Sequence, residues 1–309
     1  MGLLPRGLPI AAVTATARTP AVAVTLRPRS VPPEVRRRRF LLSIANHSVA
    51  IALALVFALP FVFILLTAVM TQQQALTSNF WPRPFLWSNF SKVFDFVPLA
   101  RYATNTVVYA SLSTIGTVAS SIPVAYALSR MRWRGRQVSF LLVLSTLMLP
   151  AQVTIVPLYA IFVRIHWIGS LKPLIVPAFF GDAFTIFLLR QFFLTIPDEL
   201  SDAARVDGAS EWQIMTRVII PLARPAITAV ALFQFLYCWN DFFGPLLYTN
   251  QQSYTLAVGL AQFSQVIHRS VLWNIQMAAS VLFMLPVIIL FFLSQRVFIE
   301  GVTLTGVKG

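Results

Sequence analysis

The sequence predicts an all-α, polytopic membrane protein with six transmembrane helices. Three observations carry this. Of its 309 residues, 57% are hydrophobic and only 11% are charged, against about 25% charged residues in soluble domains. Mean hydropathy is +0.75. Six stretches with few or no charges are each long enough to cross a hydrocarbon layer of ~30 Å as a helix rising about 1.5 Å per residue, the one open form that bonds every backbone group internally.

In chain order, the first span covers residues 48–70 and is rich in Ala, Leu, Val and Phe. The second, Asn105 to Leu128, carries Ser, Thr and Gly, which suit close helix contacts. The first is therefore expected to face lipid more than the second. The third, Val138 to Val163, exceeds the needed length and holds Pro150 and Pro157, so a kink or an irregular end is expected. The fourth runs from Leu174 to Phe193, the fifth from Ala226 to Tyr248 and the sixth from Met277 to Val297.

Charge sets the orientation. Short loops rich in Lys and Arg stay in the cytoplasm, and with six spans eighteen of the 24 basic residues fall on one side. They include the run Arg36 to Arg39, then Arg130, Arg132, Arg134 and Arg136, and later Arg190, Arg205, Arg217 and Arg224. Both termini are expected in the cytoplasm. The pI near 11.2 is then a topology signal, and it gives no support to nucleic-acid binding. Residues 1–40, rich in Arg and Pro with Glu34 as the one acid, have no helical or strand periodicity and read as a disordered cytoplasmic segment. Residues 101–297 form the main transmembrane domain, and 298–309 a cytoplasmic tail.

Several chemistries lack their residues. Cys238 is the one cysteine, and His47, His166 and His268 are far apart with no HExxH, so neither a disulfide framework nor a metal site is expected. No GxSxG or Cys/His pairing supports a membrane enzyme. No GxxxxGK[ST] is present to cradle ATP phosphates.

The connection between spans four and five, Ile196 to Pro225, holds five of the ten acidic residues. Pro197 and Asp198 suit a helix start, with Leu200, Ala203 and Ala204 on one face. Gly208 tolerates a left-handed turn, and Ser210 with Gln213 forms a capping box. Trp212, Met215, Ile219 and Leu222 make a second apolar stripe. A helix pair on the cytoplasmic face follows. Its acidic first helix opposes phosphate backbones and anionic lipid alike, leaving a docking element for a soluble partner or a hairpin packed on its own protein.

The segment Asp202-Ala203-Ala204, three residues, Gly208, nine residues, Val218-Ile219-Ile220-Pro221 resembles the EAA loop of ABC-importer permeases. Asp202 stands where that family has Glu, Val218 where it has Ile, and Ile220 where it has Leu. Further segments narrow the resemblance to the carbohydrate-uptake group, the smaller permease of a maltose-type pair. They are Asn105-Thr106, Ile186 to Phe193, Trp239 to Leu246, and Gly301 to Gly309. The resemblance implies a bacterial inner-membrane location and an ATPase-coupling loop carrying Asp202, Ala203, Ala204, Asp207, Gly208, Ala209 and Pro221. It implies a second permease, two ATPase subunits that use ATP and Mg, and an extracytoplasmic solute-binding protein, with no cofactor on this chain.

Two acids interrupt the spans, and an Asp near the bilayer centre costs about 2.5–3.5 kcal/mol on insertion scales. For Asp182 a helix cap is the favoured reading. For Trp239, Asn240 and Asp241, lining a translocation path and bonding between helices both stay open. A proton- or sodium-coupled carrier would use Asp182 and Asp241 instead, but has no need of a docking loop.

Overall fold

A computed structural model of the chain describes residues 33–77, 80–266 and 272–306. The N-terminal reading for residues 1–32, and the last residues of the tail, 307–309, lie outside them. Two compact units divide at Phe57 and Ala58. The described part of the first is helical.

Among the described residues every regular element is a helix. Helix α1 spans Pro33–Ala68, beginning well before the first span expected from hydropathy. Proline with its fixed φ fits a first helical turn, and the arginines after it are good helix formers. The basic composition of residues 33–40 therefore does not stop the helix. A capping box of Thr71 and Gln74 opens the short α2, Gln72–Ala75. Helix α3, Ser88–Phe96, precedes the long α4, Leu99–Ser129.

The third expected span is two helices, α5, Arg136–Thr146, and α6, Ala151–Arg164, with Pro150 extended between them. Pro150 has no N–H to continue a helix and disfavours helical geometry in the residue before it. Next come α7, Lys172–Ile175, a 3-10 turn from Val176 to Phe180, and α8, Ala183–Phe193. The long connection supplies α9, Asp198–Val206, and α10, Glu211–Ile214, which passes through a π turn, Met215–Ile219, into α11, Ile220–Leu222. Helix α12, Arg224–Asn240, ends at an extended Asp241, so the fifth expected span is also broken, and α13, Phe243–Tyr248, continues beyond. Helix α14, Leu256–Val266, had no counterpart in the sequence reading, and α15, Trp273–Gly306, stays helical past Val297.

Four of these stretches are long and apolar enough to span a membrane, and a fifth is added if the α10–α11 segment and α12, bent by 79°, count as one. The count of six is thus not reached by length alone. The contrast between the first two spans is clear: none of the most apolar window of Phe40–Ala68 is buried, against 33% of that in α4.

Helix α4 is central because its small residues let neighbours approach. Ser113, Thr117, Ser121 and Ala125, each four apart, are buried along one stripe, and Ser113 Oγ donates to Leu174 O at 3.1 Å. Asn105 and Thr106 secure the first part of α4. Asn105 Nδ2 donates to the carbonyls of Gln252 and Tyr254, and buried Thr106 Oγ1 accepts the Leu256 N–H at 2.8 Å.

The last carbonyls of α1 are closed by side chains from later elements. Buried Asn89 Nδ2 donates to Ala68 O at 2.9 Å and Met70 O at 2.8 Å, and Asn274 Nδ2 donates to Met70 O at 3.1 Å. Replacing Asn89 with Leu leaves the Ala68 carbonyl without this donor, at about 1–3 kcal/mol. A lowered unfolding midpoint in detergent, falling further when Asn274 is also replaced, is the expected result.

Candidate functional site

The turn between α9 and α10 explains the spacing in the connection. Gly208 has φ +81°, its N–H donates to Arg205 O at 3.0 Å, and the Ala209 N–H donates to Ala204 O at 2.9 Å. This pair of bonds is a Schellman closure, which needs a left-handed residue at Gly208. Ala204 and Ala209 both pack against a core that includes Tyr126, Phe193 and Ile214. Ser210 and Gln213 form the expected capping box. Pro221 cannot donate to Arg217, and the Ile220 N–H reaches back five residues to Met215 O, giving the π turn.

A polar network ties this loop to the end of α4. The Arg205 guanidinium bonds Asp202 at 2.7 Å and Glu211 at 2.9 Å. Tyr126 Oη donates to the other Glu211 oxygen at 2.6 Å. Buried Arg130 pairs with Asp198 and donates to Ile196 O. Asp207 is exposed beside the turn.

Glu211, in the connection between spans, is held below the usual carboxylate range chiefly by its bond from Arg205. A depressed carboxylate contributes stability above its unfolded pKa and loses it as pH falls through the folded value. The Tm difference between the natural chain and Glu211→Gln is therefore expected to be largest near neutrality and to shrink as pH falls through and below the ordinary carboxylate range.

Beside its acids, the loop also exposes apolar side chains. Val206 is 88% exposed, Trp212 67% and Leu200 43%, and Ala203 is exposed with them. The stripe expected from Trp212 through Leu222 is thus only half inward: Met215 and Ile219 are buried, with Ile214, while Trp212 and Leu222 are not. Trp212 lies two residues, about 200° of helix, from Ile214. No atom lies within 4 Å of a Cβ built on Gly208.

The second group of expected residues divides. Trp239 is 2% exposed and stacks on Phe235 at 5.7 Å. Asn240 is exposed, with its amide donating to Leu236 O at 2.8 Å. Asp241 accepts from Tyr109 Oη at 2.8 Å and from the Gly244 N–H at 3.1 Å, joining α4 to the break between α12 and α13. Asp182 caps α8, accepting the Thr185 N–H at 2.7 Å.

A different set of residues lines a cleft of about 570 Å³. Asp182, Phe184 and Thr185 come from the start of α8, and Phe233, Gln234 and Tyr237 from α12. The sequence reading passed over Gln234 and Tyr237 for the Trp239–Asp241 cluster. The available signal was the spacing of Val230, Phe233, Gln234 and Tyr237, one face of a helix.

Apolar spans packed on a small-residue helix, with a tightly built helix pair inserted before α12, define a polytopic helical membrane protein. The family described as "Binding-protein-dependent transport system inner membrane component" matches residues 120–303. The chain is 33% identical over 241 residues to the arabinooligosaccharides transport system permease protein AraQ of Halalkalibacterium halodurans, covering 77% of this chain and 85% of that one. It is 34% identical over 227 residues to the sn-glycerol-3-phosphate transport system permease protein UgpE of Yersinia pestis, covering 71% and 80%. A bacterial ABC transporter involved in the import of the acidic polysaccharide alginate shares the fold, with TM-score 0.73 at 24% identity over 84% of this chain and 97% of that one. The chain belongs to the binding-protein-dependent inner-membrane transport family. It is a permease subunit of an ATP-binding-cassette importer, with the ATPase on a separate subunit.

Proposed function

We propose that this permease carries a carbohydrate or related solute across the bacterial inner membrane by alternating access. It pairs with a second permease, two ATPase subunits that bind ATP and Mg, and an extracytoplasmic solute-binding protein. The α9–α10 loop docks in a groove on the ATPase through Asp202, Ala203, Ala204, Asp207, Gly208 and Ala209, with Pro221 fixing the second helix. The exposed apolar surface of Val206, Trp212 and Leu200 on a loop otherwise tied down by ion pairs carries this reading. A hairpin built only to pack on its own protein would turn that surface inward.

The names of the two curated relatives support the solute class. The distribution of Arg and Lys supports both termini in the cytoplasm. Six spans follow if α5 with α6, and α12 with α13, each make one broken crossing. Purification of the tagged chain from its native membrane in detergent tests the reading. Recovery of a Walker-containing ATPase and a second permease is expected, and a chain that purifies alone and still transports would overturn it.

A further inference from the structure

The turn between α4 and α5 gathers positive charge. Arg130, Arg132, Arg134 and Arg136 alternate along it, and the sequence has no Asp or Glu between Asp95 and Asp182. The four arginines divide by task. Arg130 is buried and paired with Asp198. Arg136 donates to the carbonyls of Ser129 at 3.4 Å and Met131 at 3.2 Å, closing the end of α4. Arg132 and Arg134 are exposed, and the ion pairs among the described residues do not use them. Arg132 also borders Asp202 and Glu211, but both of those acids are bonded to Arg205.

The turn has a fixed shape. Trp133 Nε1 donates to Ala127 O at 3.1 Å, which folds the indole back along α4 while leaving it 43% exposed. Gly135 has φ +94°, and a Cβ there would stand 3.4 Å from the Trp133 ring. Arg132, Trp133, Arg136 and Gln137 line a cleft of about 490 Å³ that continues to Val138. From there α5 presents Val138, Leu141 and Leu142, all exposed and spaced as one helix face. Arg136 to Leu142 rises about 9 Å.

We propose that this turn binds an anionic phospholipid of the cytoplasmic leaflet. Arg132, Arg134 and Arg136 hold the headgroup phosphate, Trp133 lies at the boundary, and an acyl chain runs along Val138, Leu141 and Leu142. The leaflet follows from the orientation supported by the distribution of Arg and Lys. Guanidinium groups pair with phosphate oxygens through parallel N–H donors, and basic clusters next to the cytoplasmic end of a membrane helix attract anionic lipid. The indole suits the boundary between headgroups and hydrocarbon. A soluble phosphate would engage the arginines alone. The apolar face that continues directly from them selects a lipid.

The test reconstitutes the full chain, with the subunits that co-purify, in phosphatidylcholine vesicles. A minor fraction of the lipid is phosphatidylglycerol or phosphatidylcholine brominated near the carbonyl end of one acyl chain. Bromine quenches a nearby indole, and the difference between the natural chain and Trp133→Phe isolates the Trp133 signal. Each arginine near a membrane surface contributes about fivefold in association. Trp133 is therefore expected to be quenched at a roughly tenfold lower fraction of the brominated phosphatidylglycerol than of the brominated phosphatidylcholine. Arg132→Gln combined with Arg134→Gln, two exposed positions, should remove that preference, while Arg132→Lys with Arg134→Lys should keep part of it. Inorganic phosphate at millimolar concentration should not reverse the quenching.

Equal quenching by the two lipids would overturn the proposal, as would a preference that the paired Gln substitutions leave unchanged. Reversal by inorganic phosphate would make the turn a free-anion site, and a Trp133 quenched by neither lipid would mean that another subunit covers it; each result overturns lipid binding here. The permease reading is decided separately, by recovery of the ATPase with the natural chain.

Discussion

Gly208→Trp is expected to abolish recovery of the ATPase with this chain, while the chain itself still purifies as a folded protein. The internal cost is limited. A non-glycine residue at φ +81° is disfavoured by about 1–2 kcal/mol, but the first atom of its side chain meets nothing within 4 Å in this chain. On the docking proposed above, the larger effect is therefore intermolecular, from an indole placed where the loop would enter a groove on the ATPase. Gly208→Asn separates the two contributions, because Asn tolerates the left-handed turn while adding a small side chain. An intermediate loss of ATPase association is expected for it. Recovery of the ATPase with Gly208→Trp at the level of the natural chain would remove docking from this turn.

The second large effect is expected at Asp241. Its carboxylate accepts the Tyr109 hydroxyl and the Gly244 N–H, and Gly244 leaves room because a Cβ there would lie 2.7 Å from Asp241 Oδ2. Asp241→Ala removes both acceptors and should lower stability by about 1–3 kcal/mol per group left unpaired. Asp241→Asn can keep both bonds, its oxygen to Gly244 and its amide to the Tyr109 oxygen, so assembly should persist. In a thermal-unfolding cycle with Tyr109→Phe, the two losses should combine less than additively. Uptake by Asp241→Asn equal to that of the natural chain assigns the residue to the helix joint. Loss of uptake with assembly intact would return it to the solute path.

The loop was the most legible part because its signals are local. A helix start, a left-handed turn and a capping box each act within a few residues, so the positions of Pro197, Gly208, Ser210 and Gln213 specify α9, the turn and α10 without reference to the rest of the chain, whereas the π turn before Pro221 was not anticipated. The direction of each helix face was less legible. Leu200, Ala203 and Ala204 were expected together, yet Ala204 packs on the core and Leu200 is exposed, because Ile196, Ser201 and Ile214 occupy the inner side.

The three residues singled out for a path part company in the fold for a related reason. Trp239, Asn240 and Asp241 stand out in composition, but Trp239 and Asn240 are consecutive helical positions that point in different directions, and Asp241 is extended beyond the helix. One is buried, one is exposed and one bridges to Tyr109. Gln234 and Tyr237, unremarkable in sequence, share a face with Phe233 and meet Asp182 across the cleft.

Sequence alone determined that this chain is helical, lives in a membrane and carries a helix pair between its fourth and fifth spans, because hydropathy, capping and glycine conformation act over short distances. Proline chemistry also placed the break in the third span, while tertiary structure decided where the fifth span breaks, which side of the loop is bare and which polar groups share a cleft. Each of those depends on which neighbour occupies a face, and contacts such as Tyr109 with Asp241, 132 residues apart, have no local signature.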